Sequence, residues 1–377
     1  MDGASVVAFT DTYLPTVNGV TYTIETWRER WERRGGRMDV VYPDAAAHEP
    51  SAGEHPVRSV AFPFYDGFRV SVPRVPREVR RADLDVVHAH TPFGLGLSAL
   101  RLASRRDRPF VASYHTPTAE YADYLTSNAR LESGLERLST RYERWFLSHA
   151  DAVIVPSAET RDRLAERGVD SDVAVVQNGV DIDQFAPVDG TAFRERHDLS
   201  GTLVGYTGRH GFEKRLPDVV RAVAGMDEEV TVVFGGDGPA RESLERAAHE
   251  HGVDARFFGF LPREELPAFY SALDVFAFPS PVETQGLVAL EAIACGTPVV
   301  GVREGALRDT IDDGVTGYHY DPGDIDGFRD GIRRALGTRE RLRENCLARR
   351  EPISVERAVD DLTAVYDRVR RAPAPRA

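Results

Sequence analysis

The feature that most constrains this fold is an alternation of short β-branched runs with longer helical patterns, which stops once and then begins again. Such an alternation predicts parallel strands joined by helices, with each sheet covered on both faces. A polar, turn-rich stretch over 178–198 interrupts it and predicts a boundary between two domains. The expected strands are 5–10, 38–42, 85–88, 110–114, 152–155, 173–176, 202–207, 230–234, 255–258, 275–278 and 298–301.

The chain therefore predicts an α/β protein with two Rossmann-like, doubly wound domains in sequence. At 377 residues, each domain is long enough to bury its own core. The expected ligand cleft lies where the carboxyl ends of the strands face each other. We assign residues 1–182 to the first domain, 183–352 to the second and 353–377 to a closing helix with a frayed tail.

Charge and cysteine content exclude several classes of function. The net charge is -13, which argues against nucleic acid as a partner. The two cysteines have no metal-ligand spacing and are expected to be reduced thiols of a cytoplasmic protein. No signal peptide and no membrane span are predicted. The acidic composition, with one lysine among 47 basic residues, fits either a high-salt cytoplasm or a codon bias.

Two carboxylates, Glu283 and Glu291, flank a helix that is predicted to begin near Gly286. Backbone N–H groups at a helix start, here from Thr284 to Leu287, attract an anion. Carboxylates repel phosphate, so their own partners should be sugar hydroxyls. A diphosphate between two sugars would fit this pattern, with one glutamate for each sugar. The alternative is that both are ordinary surface glutamates.

A basic loop follows the first strand of the second domain and carries Gly208, Arg209 and Lys214. Arginine and lysine at the ligand edge of a sheet are suited to phosphate oxygens. The alternative is a solvated charged loop. In the first domain, the turn at Asn18 and Gly19 is either a phosphate contact or a plain turn. His115 is either a group in the cleft or a structural histidine. Zinc is disfavoured, because no third ligand has suitable spacing.

These motifs together resemble the retaining GT-B glycosyltransferases of family four (group 1), over nearly the whole chain. The specific elements are Glu283 with Glu291, the spacing from Arg209 to Lys214, and the early Asn-Gly-Val. After Glu283 this chain has Thr-Gln-Gly, where many members have Gly-Phe-Gly, and in this it is similar to glycolipid-forming members. His210 within the basic loop is less usual, and its contact is left open.

The resemblance implies that Glu291 binds ribose hydroxyls, that Arg209 and Lys214 hold a diphosphate, and that Glu283 holds the donor sugar. It also implies that the closing helix crosses back onto the first domain. Catalytic parts fall to His115, Arg209, Lys214 and Glu283. Donor-binding parts fall to Asn18, Gly19, Gly208, Arg209, Lys214, Phe260, Leu261, Glu283, Thr284, Gln285, Gly286, Leu287 and Glu291.

The family's first domain receives the acceptor, and here that domain contains a stretch over 56–81 in which six arginines alternate with aromatic residues. Such a stretch favours contact with anionic lipid head groups, and the alternative is a solvated loop. The residues expected to contact acceptor or membrane are Phe64, Tyr65, Arg69, Arg74 and Arg77.

The expected activity is retaining transfer of a hexose from a UDP- or GDP-linked donor to a hydroxyl of a membrane glycolipid or lipid precursor. The alternatives are a soluble sugar or surface glycan as acceptor, or a non-catalytic partner that binds nucleotide-sugar. No cofactor is obligatory, and no residues are assigned to a divalent cation. The protein is expected in the cytoplasm, with peripheral contact at the inner face of the membrane. The oligomeric state is left open.

Overall fold

The computed structural model describes residues 3–16, 18–61, 69–115 and 129–372, with side chains of 129–136 left aside. The chain divides into two compact units. The first comprises Met1–Asn178 together with Ala358–Ala377, and the second comprises Gly179–Arg357. Each unit has its own buried apolar cluster on a parallel sheet.

The first unit contains a seven-stranded parallel sheet in the order β3-β2-β1-β6-β7-β8-β9 and a separate antiparallel hairpin, β4-β5. The strand order reverses at the pair β1 and β6, which are the first and fourth strands of this parallel sheet along the chain. Its elements are β1 Ser5–Phe9, α1 Gly19–Arg33, β2 Arg37–Pro43, β3 Glu54–Val57, β4 Ser59–Ala61, β5 Arg69–Ser71, α2 Arg77–Arg81, β6 Val86–Ala89, α3 Gly94–Arg106, β7 Phe110–Ser113, α4 Ala129–Leu147, β8 Ala152–Val155, α5 Ala158–Glu166 and β9 Val173–Val175.

The second unit contains a six-stranded parallel sheet in the order β12-β11-β10-β13-β14-β15. Counted within the unit, this is the order 3-2-1-4-5-6 of the doubly wound dinucleotide-binding fold. Its elements are α6 Thr191–Arg196, β10 Thr202–Thr207, α7 Pro217–Ala224, β11 Val230–Gly235, α8 Arg241–His251, β12 Ala255–Gly259, α9 Leu266–Ala272, β13 Val275–Phe278, α10 Leu287–Ala294, β14 Val299–Val302, α11 Leu307–Thr310, β15 Gly317–Tyr320, α12 Ile325–Gly337 and α13 Arg339–Ala348.

The last helix, α14, spans Val355–Arg371 and begins in the second unit, where Val355 N–H donates to the carbonyl of Val180. From Ala358 onward it is part of the first unit. There the hydroxyl of Tyr366, which is fully buried, lies 2.6 Å from Nδ1 of His88. This hydrogen bond ties the end of the chain to β6.

The predicted fold class is confirmed, with two Rossmann-like parallel-sheet domains. The central strands β8, β10 and β13 have the predicted bounds, because strands buried on both faces read as continuous apolar runs. Four strands were not predicted. Two of them, β3 and β15, lie at sheet edges, and β4 and β5 are three-residue strands of the hairpin.

Candidate functional site

The functional residues of the second unit lie at the carboxyl edge of its sheet. Strands β10 and β13 are neighbours, with Gly205 in register with Phe276. The loop after β10 and the loop after β13 therefore leave the sheet side by side at the point where the strand order reverses. Ligands of doubly wound sheets bind at this point. It brings together the predicted basic loop and the Glu283 turn.

The central contact of this site joins Lys214 to Glu283, with Nζ 2.6 Å from Oε1. The two side chains are 17% and 16% exposed, so the pair is largely shielded but still reached by solvent. An ammonium has three N–H donors, and a carboxylate oxygen pair accepts about four hydrogen bonds. The pair itself therefore uses one donor of Lys214 and one acceptor oxygen of Glu283.

Arg209 lies on the same loop, and its Nη2 is 2.5 Å from Oε1 of Glu213. Glu213 belongs to a single 3-10 turn, Phe212–Lys214, whose last residue is the lysine of the central pair. The two cations thus each face a carboxylate, which offsets their charge. A bound diphosphate would have to compete with, or share, these carboxylates.

The basic loop rests on the loop that follows β11. His210 is fully buried, and its ring Nε2 donates to the carbonyl of Gly235 at 3.2 Å. Its backbone N–H donates to the backbone carbonyl of Asp237 at 2.8 Å. The carbonyl of His210 accepts from Ala240 N–H at 2.8 Å. A Cβ on Gly236 would lie 2.0 Å from the carbonyl oxygen of Gly208. The unusual histidine therefore positions Arg209 by holding two backbone loops together.

We expect Gly236→Ala to lower the free energy of unfolding by about 2 kcal/mol more than Gly252→Ala does, because overpacking adds ~1–3 kcal/mol to the strain of a positive φ. Gly236 has φ +100 and a backbone atom in the way, whereas Gly252 has φ +66 and nothing within 4 Å. Urea unfolding, followed by circular dichroism, measures both variants. Equal losses of unfolding free energy in the two variants would show that the loops carrying Gly208 and Gly236 can move apart without a cost in stability.

The Glu283 turn is held from its other side by α11 and by Ala306, which precedes it. Ala306 N–H donates to the carbonyl of Glu283 at 3.1 Å, and Thr310 Oγ1 donates to the carbonyl of Gln285 at 2.7 Å. Gly286 has φ +74, a left-handed conformation, and α10 begins at the next residue, Leu287. The predicted helix start is therefore in place. The turn presents the backbone of 284–287 at the same edge as Lys214.

Glu291 is buried on α10, and its carboxylate accepts from the hydroxyl of Tyr270 at 2.8 Å and from Nη1 of Arg263 at 3.3 Å. Burial raises the pKa of this carboxyl group, and the nearby Arg263 opposes that rise. Two hydrogen bonds occupy about half of what a carboxylate accepts. Glu291 is thus fixed in direction and retains acceptor capacity for hydroxyl groups.

Phe260 and Leu261 follow β12 directly. The ring of Phe260 is 70% exposed, while Leu261 is buried and lies close to Gly235. This exposed aromatic stands at the carboxyl edge of the sheet, next to the loop that supports Arg209. The part that Phe260 and Leu261 take in donor binding stays a prediction.

In the first unit, Asn18 caps α1. Its Oδ1 accepts from Thr21 N–H at 3.0 Å, and its Nδ2 donates to Thr12 Oγ1 at 2.8 Å. Gly19 is the first residue of the helix. Both residues lie at the carboxyl edge of β1, where the strand order of this sheet reverses. The side chain of Asn18 shapes the turn, and a ligand contact of Gly19 stays a prediction.

His115 belongs to a buried group of three histidines. Its Nε2 is 3.0 Å from Nδ1 of His90, and the two rings stack with centroids 5.3 Å apart. His88 lies against His90, with centroids 4.1 Å apart, and its Nε2 is 2.8 Å from Ser113 Oγ. Burial lowers the pKa of His115 to about 4 and that of His88 to about 3. All three rings are therefore neutral at pH 7.

Of the residues expected to contact acceptor or membrane, Phe64 and Tyr65 lie outside the described residues. Arg69 is partly buried in the β4-β5 hairpin, where its Nε donates to Ser59 Oγ at 2.7 Å. Arg74 and Arg77 are exposed. The guanidinium of Arg69 therefore supports the hairpin itself.

In the described part of the chain, no group of three or more His, Cys, Asp or Glu is arranged to hold a metal ion. No helix within it is long and apolar enough to cross a membrane.

Sequence reasoning missed several residues that build this site. Tyr270 and Arg263 orient Glu291, and Ala306 and Thr310 hold the Glu283 turn. Tyr206 lies under the basic loop, since a Cβ on Gly208 would come within 2.9 Å of its hydroxyl. These residues lie far along the chain from the residues that they contact, so no local sequence pattern indicates the contacts.

Two family models match the chain. "Glycosyltransferase Family 4" matches residues 17–184, and "Glycosyl transferases group 1" matches residues 191–349. The first covers the greater part of the first unit, and the second contains every predicted residue of the second unit.

Three relatives are similar over most of this chain. Sulfoquinovosyl transferase SQD2 of Arabidopsis thaliana is 33% identical, over 86% of this chain and 65% of its own length. Alpha-monoglucosyldiacylglycerol synthase of Streptococcus pneumoniae is 28% identical, over 83% and 74%. A GDP-mannose-dependent alpha-mannosyltransferase of Mycolicibacterium smegmatis is 30% identical, over 96% and 98%.

Solved structures share the fold. Sucrose-phosphate synthase from Thermosynechococcus elongatus has a TM-score of 0.78 at 21% identity, over 97% of this chain and 99% of that one. Anabaena HepE, solved with UDP, has a TM-score of 0.77 at 17% identity, over 97% and 100%.

Proposed function

The chain belongs to the GT-B glycosyltransferases of family four (group 1), and we propose that it transfers a hexose, with retention, from a UDP- or GDP-linked donor to a hydroxyl of a membrane lipid. The observation that supports this most is the contact of Lys214 with Glu283 at the carboxyl edge of the second sheet. It joins a phosphate-binding cation to an acceptor for sugar hydroxyls, which are the two groups that a nucleotide-sugar presents next to its reacting bond.

In the proposed reaction, the bond between the anomeric carbon and the diphosphate oxygen breaks, and the acceptor oxygen forms the new bond to that carbon. The nucleoside diphosphate leaves with the electron pair, and the proton of the acceptor hydroxyl passes to the departing diphosphate oxygen. Lys214 and Arg209 stabilise the charge that develops on it, which is the main contribution that a preorganised site makes. Glu283 accepts hydrogen bonds from donor-sugar hydroxyls, and Glu291 accepts them from the ribose. No side chain is assigned as a nucleophile.

A lipid acceptor is favoured by two similarities. The Thr-Gln-Gly that follows Glu283 resembles glycolipid-forming members, and one relative is named alpha-monoglucosyldiacylglycerol synthase. The donor base is left open, because one relative is named for GDP-mannose and a fold neighbour was solved with UDP-glucose.

The proposal is tested by nucleotide release across a panel of UDP- and GDP-hexoses, with and without extracted membrane lipid. Release that requires lipid and is lost in Lys214→Ala supports the proposal and identifies the nucleotide. Nucleotide release with a soluble sugar and no lipid would show that the acceptor is a soluble sugar and not a lipid. Binding of nucleotide with no release under any acceptor would point to a non-catalytic partner.

We expect Glu291→Gln to weaken binding of the nucleoside diphosphate about tenfold or more, because hydrogen bonds to a charged acceptor contribute ~1.5–3 kcal/mol. Burial raises the pKa of Glu291, so the wild-type affinity should fall as the pH drops and the carboxylate takes up a proton. The affinity of the variant should change less with pH. Isothermal titration calorimetry over a pH series measures both.

The matched control is Tyr270→Phe, which removes one hydrogen bond to Glu291 and keeps its charge. It should weaken binding less than Glu291→Gln does. Equal affinity of all three proteins would remove Glu291 from the nucleotide site.

A further inference from the structure

The exposed face of α4 is basic and aromatic, in a chain whose net charge is -13. Arg137, Arg141 and Arg144 are exposed on it, beside Leu138 at 66% and Trp145 at 44% exposure. Spacings of three, four and seven residues place Arg141 and Trp145 next to Leu138 on one side of the helix. We call this set the α4 face.

In the segment 137–149, where the structure describes the side chains, no exposed carboxylate neutralises this charge. The one acidic residue there is Glu143, which is 4% exposed and contacts Nη1 of Arg167 at 3.4 Å. Among the described side chains of the α4 face, the exposed charges are therefore all positive. Large exposed apolar side chains among them are unusual on a surface that only needs to be soluble.

The face continues towards α3. Tyr142 stacks on Trp145, with ring centroids 5.8 Å apart, and its hydroxyl donates to the carbonyl of Pro92, just before α3. Arg101 and Arg105 of α3 are exposed as well. The aromatic pair of α4 is thus tied to the start of a second helix that carries exposed arginines.

We propose that the α4 face docks on a bilayer that contains anionic phospholipid. Guanidinium groups bind phosphate oxygens in pairs, and tryptophan and tyrosine partition into the interface between head groups and acyl chains. The charge of the face is complementary to such a bilayer. Insertion of Trp145 would also persist at salt concentrations that screen the arginines. This inference rests on the proposed lipid acceptor and names the surface that brings the protein to it.

The three tryptophans allow a direct test on the full chain. Trp27 and Trp31 are 0% and 6% exposed, so Trp145 is the tryptophan that a bilayer can reach. Vesicles of phosphatidylcholine and phosphatidylglycerol with brominated acyl chains should quench its emission. Trp145→Ser should abolish the quenching. The double variant Trp145→Ser/Arg141→Gln should lower the bound fraction in co-sedimentation about tenfold, through lost insertion and lost charge.

The matched control is Val188→Ser/Arg246→Gln in the second unit, since Val188 is also 44% exposed and Arg246 is exposed on α8. It should bind vesicles as the wild type does. A second comparison, Arg74→Ser/Arg77→Ser, tests the other basic segment.

Binding without quenching of Trp145, or loss of binding in the Arg74 and Arg77 variant alone, would overturn the proposal. So would a dimer in size-exclusion chromatography that dissociates on Trp145→Ser, because a second copy would then cover the face. Vesicles without acceptor lipid separate this test from the activity. Quenching without lipid-dependent nucleotide release would leave the docking surface intact and refute the proposed reaction.

Discussion

Lys214→Ala is expected to lower kcat/KM for nucleotide release about 10³-fold, because removal of one preorganised charge at a developing anion costs ~10²–10³-fold and a second effect adds to it. The second effect comes from Glu283, whose carboxylate lies 2.6 Å from Nζ of Lys214. Without the ammonium, that negative charge faces the departing diphosphate unpaired. Steady-state release assays, with the donor that the panel of UDP- and GDP-hexoses identifies, measure the change.

A double-mutant cycle separates the two effects. If repulsion by Glu283 contributes, Lys214→Ala/Glu283→Gln should lose less activity than the product of the two single losses. Lys214→Arg keeps the charge but replaces a compact ammonium by a planar fork, so it should recover activity only in part. Arg246→Ala, at an exposed position of the same unit, is the control for general loss of positive charge. Activity of Lys214→Ala within tenfold of wild type would contradict the assigned role.

The sequence predicts which residues belong to this site better than it predicts which of them contact each other. Glu283 and Lys214 were both placed at the ligand edge, because each follows a strand and has a charge that suits a nucleotide-sugar. Their direct contact spans 69 positions of the chain. It depends on β10 lying next to β13, and thus on a strand order that a single sequence does not contain.

The supporting residues show the same limit. Strands such as β13 are predictable, because a short continuous run of apolar residues indicates a strand that is buried on both faces of the sheet. The hydroxyl of Tyr270 and the guanidinium of Arg263 have no such signature, since their role exists only where Glu291 is buried beside them. His210 is unusual within the basic loop, and its hydrogen bonds to the end of β11 and to the loop that follows explain its presence.

Because the three histidines are buried, we expect the protein to lose stability in acid. One substitution should reduce that loss. Burial lowers the pKa of His115 to about 4, against an ordinary value of 6.5. Between these values the unfolded chain binds a proton at this position and the native protein does not. Stability contributed by His115 is therefore present above pH 6.5 and is lost as the pH falls towards 4. The loss amounts to about 3 kcal/mol, at ~1.4 kcal/mol for each pH unit.

His115→Gln should remove this loss, so that the free energy of unfolding of the variant gains about 3 kcal/mol on the wild type between pH 7 and pH 4. The gain should be larger if the charge of His115 is felt by His88, whose pKa is lowered by burial first and by His115 second. Asp11 titrates in the same range with the opposite sign, because burial raises its pKa to about 6. That contribution is common to both proteins and cancels in the difference.

All three tryptophans belong to the first unit, which contains the histidines, so tryptophan emission during urea unfolding reports on the right part of the protein. His149→Gln, at an exposed position of the same unit, is the matched control. Parallel curves for wild type and His115→Gln between pH 6.5 and 4 would mean that His115 takes up its proton in the native state. The group of three histidines would then be open to solvent in acid, and burial could not account for a neutral ring at position 115.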